Sequence, residues 1–188
     1  MTDQEFFSVH HALTINVEPL EASFVLPSTD DFVREIPTPF IVASEFSQLD
    51  SLTEQAKSDI KSNDFRHVCQ LLDTQNAKLN LLLTFMLSQE DSKEHRYKSL
   101  SFGASQFTYP TTTALAVGTK VRAKLFLEHP SAAIYCYGNV AACEVKDTQH
   151  IITVKYDLLR DVDQDLLIKA ALYQQQKLLR QRSLDREK

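Results

Sequence analysis

A chain of 188 residues, with 43% hydrophobic and 24% charged content, has the length for one domain with its own core. Its net charge of −5 argues against a general nucleic-acid binder, which needs a basic surplus to neutralise phosphates. No window approaches about 18 uninterrupted apolar residues, so no membrane-spanning helix is expected. The opening MTDQEFFSV lacks the basic and apolar regions of a signal peptide, so a cytoplasmic location is expected.

The first segment, residues 1–48, opens on FFSVHHALTINV. There Phe7, Val9, His11, Leu13, Ile15 and Val17 alternate with Phe6, Ser8, His10, Ala12, Thr14 and Asn16. A period of two predicts one long, half-buried strand. His10 and His11 would face opposite sides of it and so cannot chelate one metal together. In LPSTDDFVREIP, Ser28 or Thr29 is placed to cap a short helix that ends before Pro37. The following TPFIVASEF reads either as an extended piece or as the approach to a helix.

Residues 49–90 contain no Gly or Pro and predict a long helix. From Phe65 the apolar spacing is regular: Phe65, Val68, Leu72, Gln75, Leu79, Leu82 and Met86 lie 3, 4, 3, 4, 3 and 4 apart. That is the a/d seam of three heptads with one polar member, Gln75. Burial in the chain's own core and self-association both fit a helical stripe. The strict alternation and the polar Gln75 favour self-association, with Asp73 and Lys78 as flanking charges that help select register. A weaker row, Leu49, Leu52, Ala56 and Ile60, is out of phase, which places a stutter or break near residues 60–64. LNLLLTFML is apolar nearly all round, so more than one side of that helix must be covered.

The remainder, 91–183, reads as short antiparallel strands followed by a helix, the composition of a small barrel or sandwich. In KVRAKLFLE, Val121, Ala123, Leu125 and Leu127 alternate with charged neighbours, and KDTQ is a hairpin signal. Asp161 is the expected cap of the last helix, with Gln164 as its capping-box partner. The apolar stripe of that helix is Leu167, Ala171, Gln174 and Leu178, and residues 184–188 form a charged tail.

Signals of chemistry are sparse. Cys69, Cys136 and Cys143 form no CxxC pair, so reduced, buried thiols are expected and no metal site. His67, His95, His129 and His150 have no carboxylates at ligand spacing. The sequence holds no GxSxG, Walker loop, GxGxxG or HExxH, and no enzyme is expected.

The stretch SLSFGASQF, the KVRAKLFLE strand and the terminal helix DVDQDLLIKAALYQQQKLLRQR together resemble the atypical PilZ family. The resemblance runs over about Leu79 to Arg182 and, more weakly, over Leu49 to Leu79. FFSVHHALTINVEPL is similar to the N-terminal extension of longer members. It implies an α+β fold: a small antiparallel six-stranded β-barrel with a long N-terminal heptad helix and a C-terminal helix. It also implies three parts before the tail, an extension at 1–48, an oligomerisation helix at 49–90 and the barrel with its helix at 91–183. Most of the family are cyclic di-GMP receptors, and a tetramer-forming branch carries a long heptad helix.

The family grips its ligand with an RxxxR segment ahead of the barrel and a D/N-x-S-x-x-G loop. Paired guanidiniums hold phosphates and stack on guanine. In the aligned loop Ser99-Leu100-Ser101-Phe102-Gly103-Ala104, Ser101 keeps the serine. Ser99 replaces the acid or amide, and Gly103 stands one place early. Arg96 is the only arginine between Arg66 and Arg122, and a literal RxxxR occurs only at Arg182 and Arg186, after the barrel. The resemblance therefore implies a degenerate ligand site of Arg96, Ser99, Ser101 and Gly103, with cyclic di-GMP as a doubtful ligand and no other cofactor. It implies a homo-oligomer, dimer to tetramer, that adapts an unidentified protein partner to cyclic di-GMP-linked control of motility, pili or biofilm. The rival readings are a true cyclic di-GMP receptor with a non-standard site and a plain interaction module.

Overall fold

The computed structural model describes residues 8–60 and 65–186. Phe6 and Phe7 of the expected strand, and most of the expected stutter, lie outside them. Among the described residues one curled antiparallel sheet has eight strands in the order β1-β4-β5-β8-β7-β6-β2-β3. In chain order these are β1 (Ser8–His10), β2 (Thr14–Pro19), β3 (Arg96–Lys98), β4 (Ser101–Gly103), β5 (Gln106–Thr111), β6 (Lys120–Leu127), β7 (Ala132–Lys146) and β8 (Gln149–Leu158). Helices α1 (Thr29–Glu35), α2 (Thr38–Asp59) and α3 (Arg66–Ser88) fall between β2 and β3, and α4 (Asp161–Arg186) ends the chain.

The count of eight corrects the expected six, and the cause is local. The long N-terminal strand breaks at residues 11–13 into β1 and β2, and the run 96–103 breaks at 99–100 into β3 and β4. β1 pairs with β4, while β2 pairs with β3 and β6. The two ends of the sheet order are thus continuations of neighbouring strands. Within the first 48 residues, β1 and β2 are woven into the same sheet as the strands of residues 91–158.

Alternation decides what lies inside. Val121, Ala123, Leu125 and Leu127 of β6, with Ile15 and Val17 of β2, are buried in the interior. β7 departs from alternation because helices cover its outer face as well. Phe32 of α1 packs 5.9 Å from the Tyr135 ring and 6.0 Å from Tyr137, and Tyr137 Oη donates to Glu35 at 2.6 Å. A strand buried on both faces reads as a continuous apolar run, which is why AAIYCYG carries no period of two. The hairpin expected at KDTQ is present, with Lys146 opposite Gln149 and Asp147 at φ 55°.

The helices follow the expectations in part. Ser28 caps α1 through its Oγ, which accepts from the Asp31 amide at 3.3 Å. TPFIVASEF is the first part of α2, so the long helix begins at Thr38 and breaks into α2 and α3 after Asp59. The capping box of the last helix is absent. The Arg160 carbonyl accepts from the Asp163 and Gln164 amides at 3.0 Å each, while Gln164 Nε2 donates to the Ala104 carbonyl. The Arg160 guanidinium instead clamps the fully buried Asp163 carboxylate with two bonds of 2.7 Å and reaches Ser44 of α2 at 3.4 Å. Burial nonetheless pushes the Asp163 carboxyl above its ordinary value.

One glycine is dictated by the close approach of β7 and β8. A Cβ at Gly138, beside a register shift, would overlap the Lys155 carbonyl oxygen and stand 2.8 Å from Val154 Cγ1. Gly138→Ala should therefore lower unfolding free energy by about 1–3 kcal/mol in urea titrations, the usual cost of overpacking. An unchanged midpoint would show that the two strands separate without penalty.

Candidate functional site

The loop that resembles a ligand site sits where the two broken runs meet. Ser99 is almost fully buried. Its Oγ accepts from the Leu13 amide at 2.9 Å and donates to the His11 carbonyl at 2.7 Å. Backbone bonds from His11 N to the Leu100 carbonyl (3.1 Å) and from Ser99 N to the Leu13 carbonyl (3.0 Å) complete the bridge. At a break, backbone donors and acceptors lose their ladder partners and need others. Ser99 meets that need for residues 11–13.

The other loop residues are occupied in the same way. Ser101 Oγ lies 2.8 Å from Thr108 Oγ1 on the neighbouring strand. Gly103 pairs with Ser8 in the β1–β4 ladder. Arg96 is 41% exposed and is held by Asp91, with Nε to Oδ1 at 3.0 Å and a second bond of 2.8 Å to Oδ2. The structure brings Arg96, Ser99, Ser101 and Gly103 onto β3–β4 and its linker, in sequence proximity.

Beside Arg96, a polar cleft of about 330 Å³ opens over the outer face of the sheet. His95, Arg122, Lys124 and Tyr135 supply its donors. Its two strong cations are already paired: Arg122 with Glu18 at 2.5 Å, and Lys124 with Glu90 at 2.9 Å. The Glu18 bond holds the Arg122 guanidinium above its ordinary value. A carboxylate beside each cation lowers the positive potential that an incoming phosphate would meet there. Burial lowers the pKa of His11, whose Nε2 is buried with no hydrogen-bond partner among the described residues. Cys136 is the inert buried thiol expected, its pKa raised by burial, whereas Cys69 and Cys143 are only half-buried. Among the described residues no group of three or more His, Cys, Asp or Glu side chains could hold a metal ion.

The second candidate site is the surface of α3. Phe65, Val68, Leu72, Leu79, Leu82 and Met86 all point to solvent, with exposures from 44% at Met86 to 62% at Leu82, and Gln75 is exposed with them. The side turned toward the rest of the chain is a different one. It carries half-buried Cys69, Asn76 and Asn80, and only its last two members, Leu83 and Leu87, are fully buried. The helix is thus inverted over most of its length: polar toward its own domain, apolar toward water. Leu71, Leu81 and Phe85 widen the exposed face beyond the seam, and Leu49 and Leu52 of α2 add a further apolar row. The apolar wrap of LNLLLTFML was the sequence signal for that extra width. Asp73 is not free to set register, because Lys57 of α2 binds it and Glu54 together.

No protein-family model matches the chain, and no curated protein matches it. Among solved structures, a pathogenic protein of Xanthomonas campestris superposes with a TM-score of 0.57 at 14% identity, over 94% of this chain and 91% of that one. It is described as a new tetrameric PilZ domain self-assembled via an unusual helical bundle. The fold is PilZ-like. The inhibitor of motility MotI/DgrA of Bacillus subtilis is similar too, with a TM-score of 0.50 at 9% identity, over 94% of this chain and 53% of that one. The chain therefore spans about half the length of that protein. No helix among the described residues is long and apolar enough to cross a membrane.

Ser99 thus forms a structural bridge between the two broken runs. Ser99→Ala would leave the buried Leu13 amide and His11 carbonyl without their side-chain partner, at a cost of about 1–3 kcal/mol. Denaturant unfolding should show that loss with no ligand present. An unaltered midpoint would free Ser99 for a binding role.

Proposed function

We propose that this chain is a non-enzymatic, PilZ-like adaptor that self-assembles through α3 and offers its sheet and remaining helices to a protein partner in cyclic di-GMP-linked signalling. The observation that carries the reading is the exposed α3 seam. Burying a leucine contributes about 1.5–3 kcal/mol, so a row of such residues left in water is a strong drive to associate. A heptad stripe that its own domain does not cover fits a bundle with other copies. A fold neighbour named as a tetrameric PilZ domain built through a helical bundle supports that mode of assembly. Another named as an inhibitor of motility supports a role in motility control.

The mass of Leu72→Glu/Leu79→Glu in light scattering should fall below that of the wild type, with circular dichroism unchanged. An unchanged mass would remove α3 as the assembly element. The adaptor reading further expects no heat when the purified protein is titrated with cyclic di-GMP. The grounds are that Arg96 is held by Asp91 and the Ser99 hydroxyl closes the sheet. Micromolar binding would instead favour the receptor reading, with Arg96 as the first residue to replace.

A further inference from the structure

We propose that the outer face of α4 is a second self-association surface, on which two copies of the chain pair their α4 helices antiparallel. Helix α4 is apolar along two separate stripes. Leu167, Ala171 and Gln174 face the sheet and are buried, as the stripe in the sequence leads one to expect, whereas its last member, Leu178, is exposed. Ile168, Leu172, Gln175 and Leu179, at steps of 4, 3 and 4, form a neighbouring row and are all exposed. At about 100° per residue these four fall within one narrow arc, about 100° around the helix from the buried stripe.

The row has opposite charge at its two ends. Asp161 and Asp165 stand at its start, Arg180 and Arg182 at its finish, all exposed. None of the four takes part in an ion pair found among the described residues. Acids at the start and bases at the end suit the helix dipole, but the dipole gives no reason for the exposed apolar row between them. Self-pairing accounts for both. An antiparallel partner related by a two-fold axis between Tyr173 and Gln174 sets Ile168 against the partner's Leu179. It sets Leu172 against the partner's Gln175, and Asp165 against the partner's Arg182. A parallel partner would set acid against acid and base against base, which is repulsive. The contact is isologous, so it closes at two copies. Together with α3, it gives each chain two distinct interfaces and so a route from dimer to tetramer.

The test separates this surface from the α3 seam. Light scattering and sedimentation are run on Leu72→Glu/Leu79→Glu, in which the seam is disabled. That variant should remain a dimer, and adding Leu172→Glu should make it a monomer. Asp165→Arg alone and Arg182→Asp alone should each weaken the dimer several-fold. Asp165→Arg/Arg182→Asp together should restore it, because both charges then meet their opposites again. A monomeric Leu72→Glu/Leu79→Glu protein overturns the α4 pairing and leaves the seam standing, as does a dimer indifferent to Leu172→Glu. Should the seam variant keep the wild-type mass, the seam reading fails, and Leu172→Glu and the charge swap judge α4 in the wild-type background. The charge variants lie at exposed positions, so the swap still decides if Leu172→Glu does not fold.

Discussion

The hydroxyl of Ser99 sits where two interrupted strand runs meet, and the curvature of the sheet depends on how that meeting is held. Backbone groups at residues 11–13 and 99–100 have no regular ladder across the break, and buried groups of that kind are expensive to leave unpaired. One serine, accepting from Leu13 and donating to His11, converts the break into a continuous seam. Through it β1 stays with β4 and β2 stays between β3 and β6. The N-terminal run thereby becomes part of the domain, and the helices that follow it are anchored at both ends to one sheet.

Charge on the outer sheet is arranged for cohesion. Arg122 with Glu18 and Lys124 with Glu90 each join two separate pieces of chain, and Arg96 with Asp91 closes the turn before β3. Partly exposed pairs of this kind contribute little stability individually. Their consequence is chemical: a carboxylate beside each cation lowers the positive potential that a phosphate would meet. Arg180 and Arg182, near the end of α4, are in no ion pair found among the described residues, and that is where a surface for another copy is proposed.

The helices divide their labour by which face they bury. α1 and the start of α2 cover Tyr135, Tyr137 and Phe126 and finish the core on the outside of the sheet. α3 and the outer side of α4 turn apolar rows toward solvent. The domain is thus closed at its core and incomplete at its helical surface, the combination expected of a folded unit whose work is assembly.

The sequence by itself determined the alternation of β2 and β6, the KDTQ hairpin, a Ser28 or Thr29 cap on α1, most of the stripe of α4 and the heptad seam of α3. Each of these rests on spacing within one element, where a period of two or of 3.6 reports which side faces the core. Only the tertiary structure decided that α3 turns Cys69, Asn76 and Asn80 inward and its seam outward, because periodicity marks an apolar face without saying what covers it. It alone placed Asp73 on Lys57, Arg160 on Asp163 and Gln164 on Ala104, since these partners are chosen by packing between elements. The role of Ser99 was equally out of reach. Its two partners lie 86 and 88 residues away, and no local pattern records a bond across that separation.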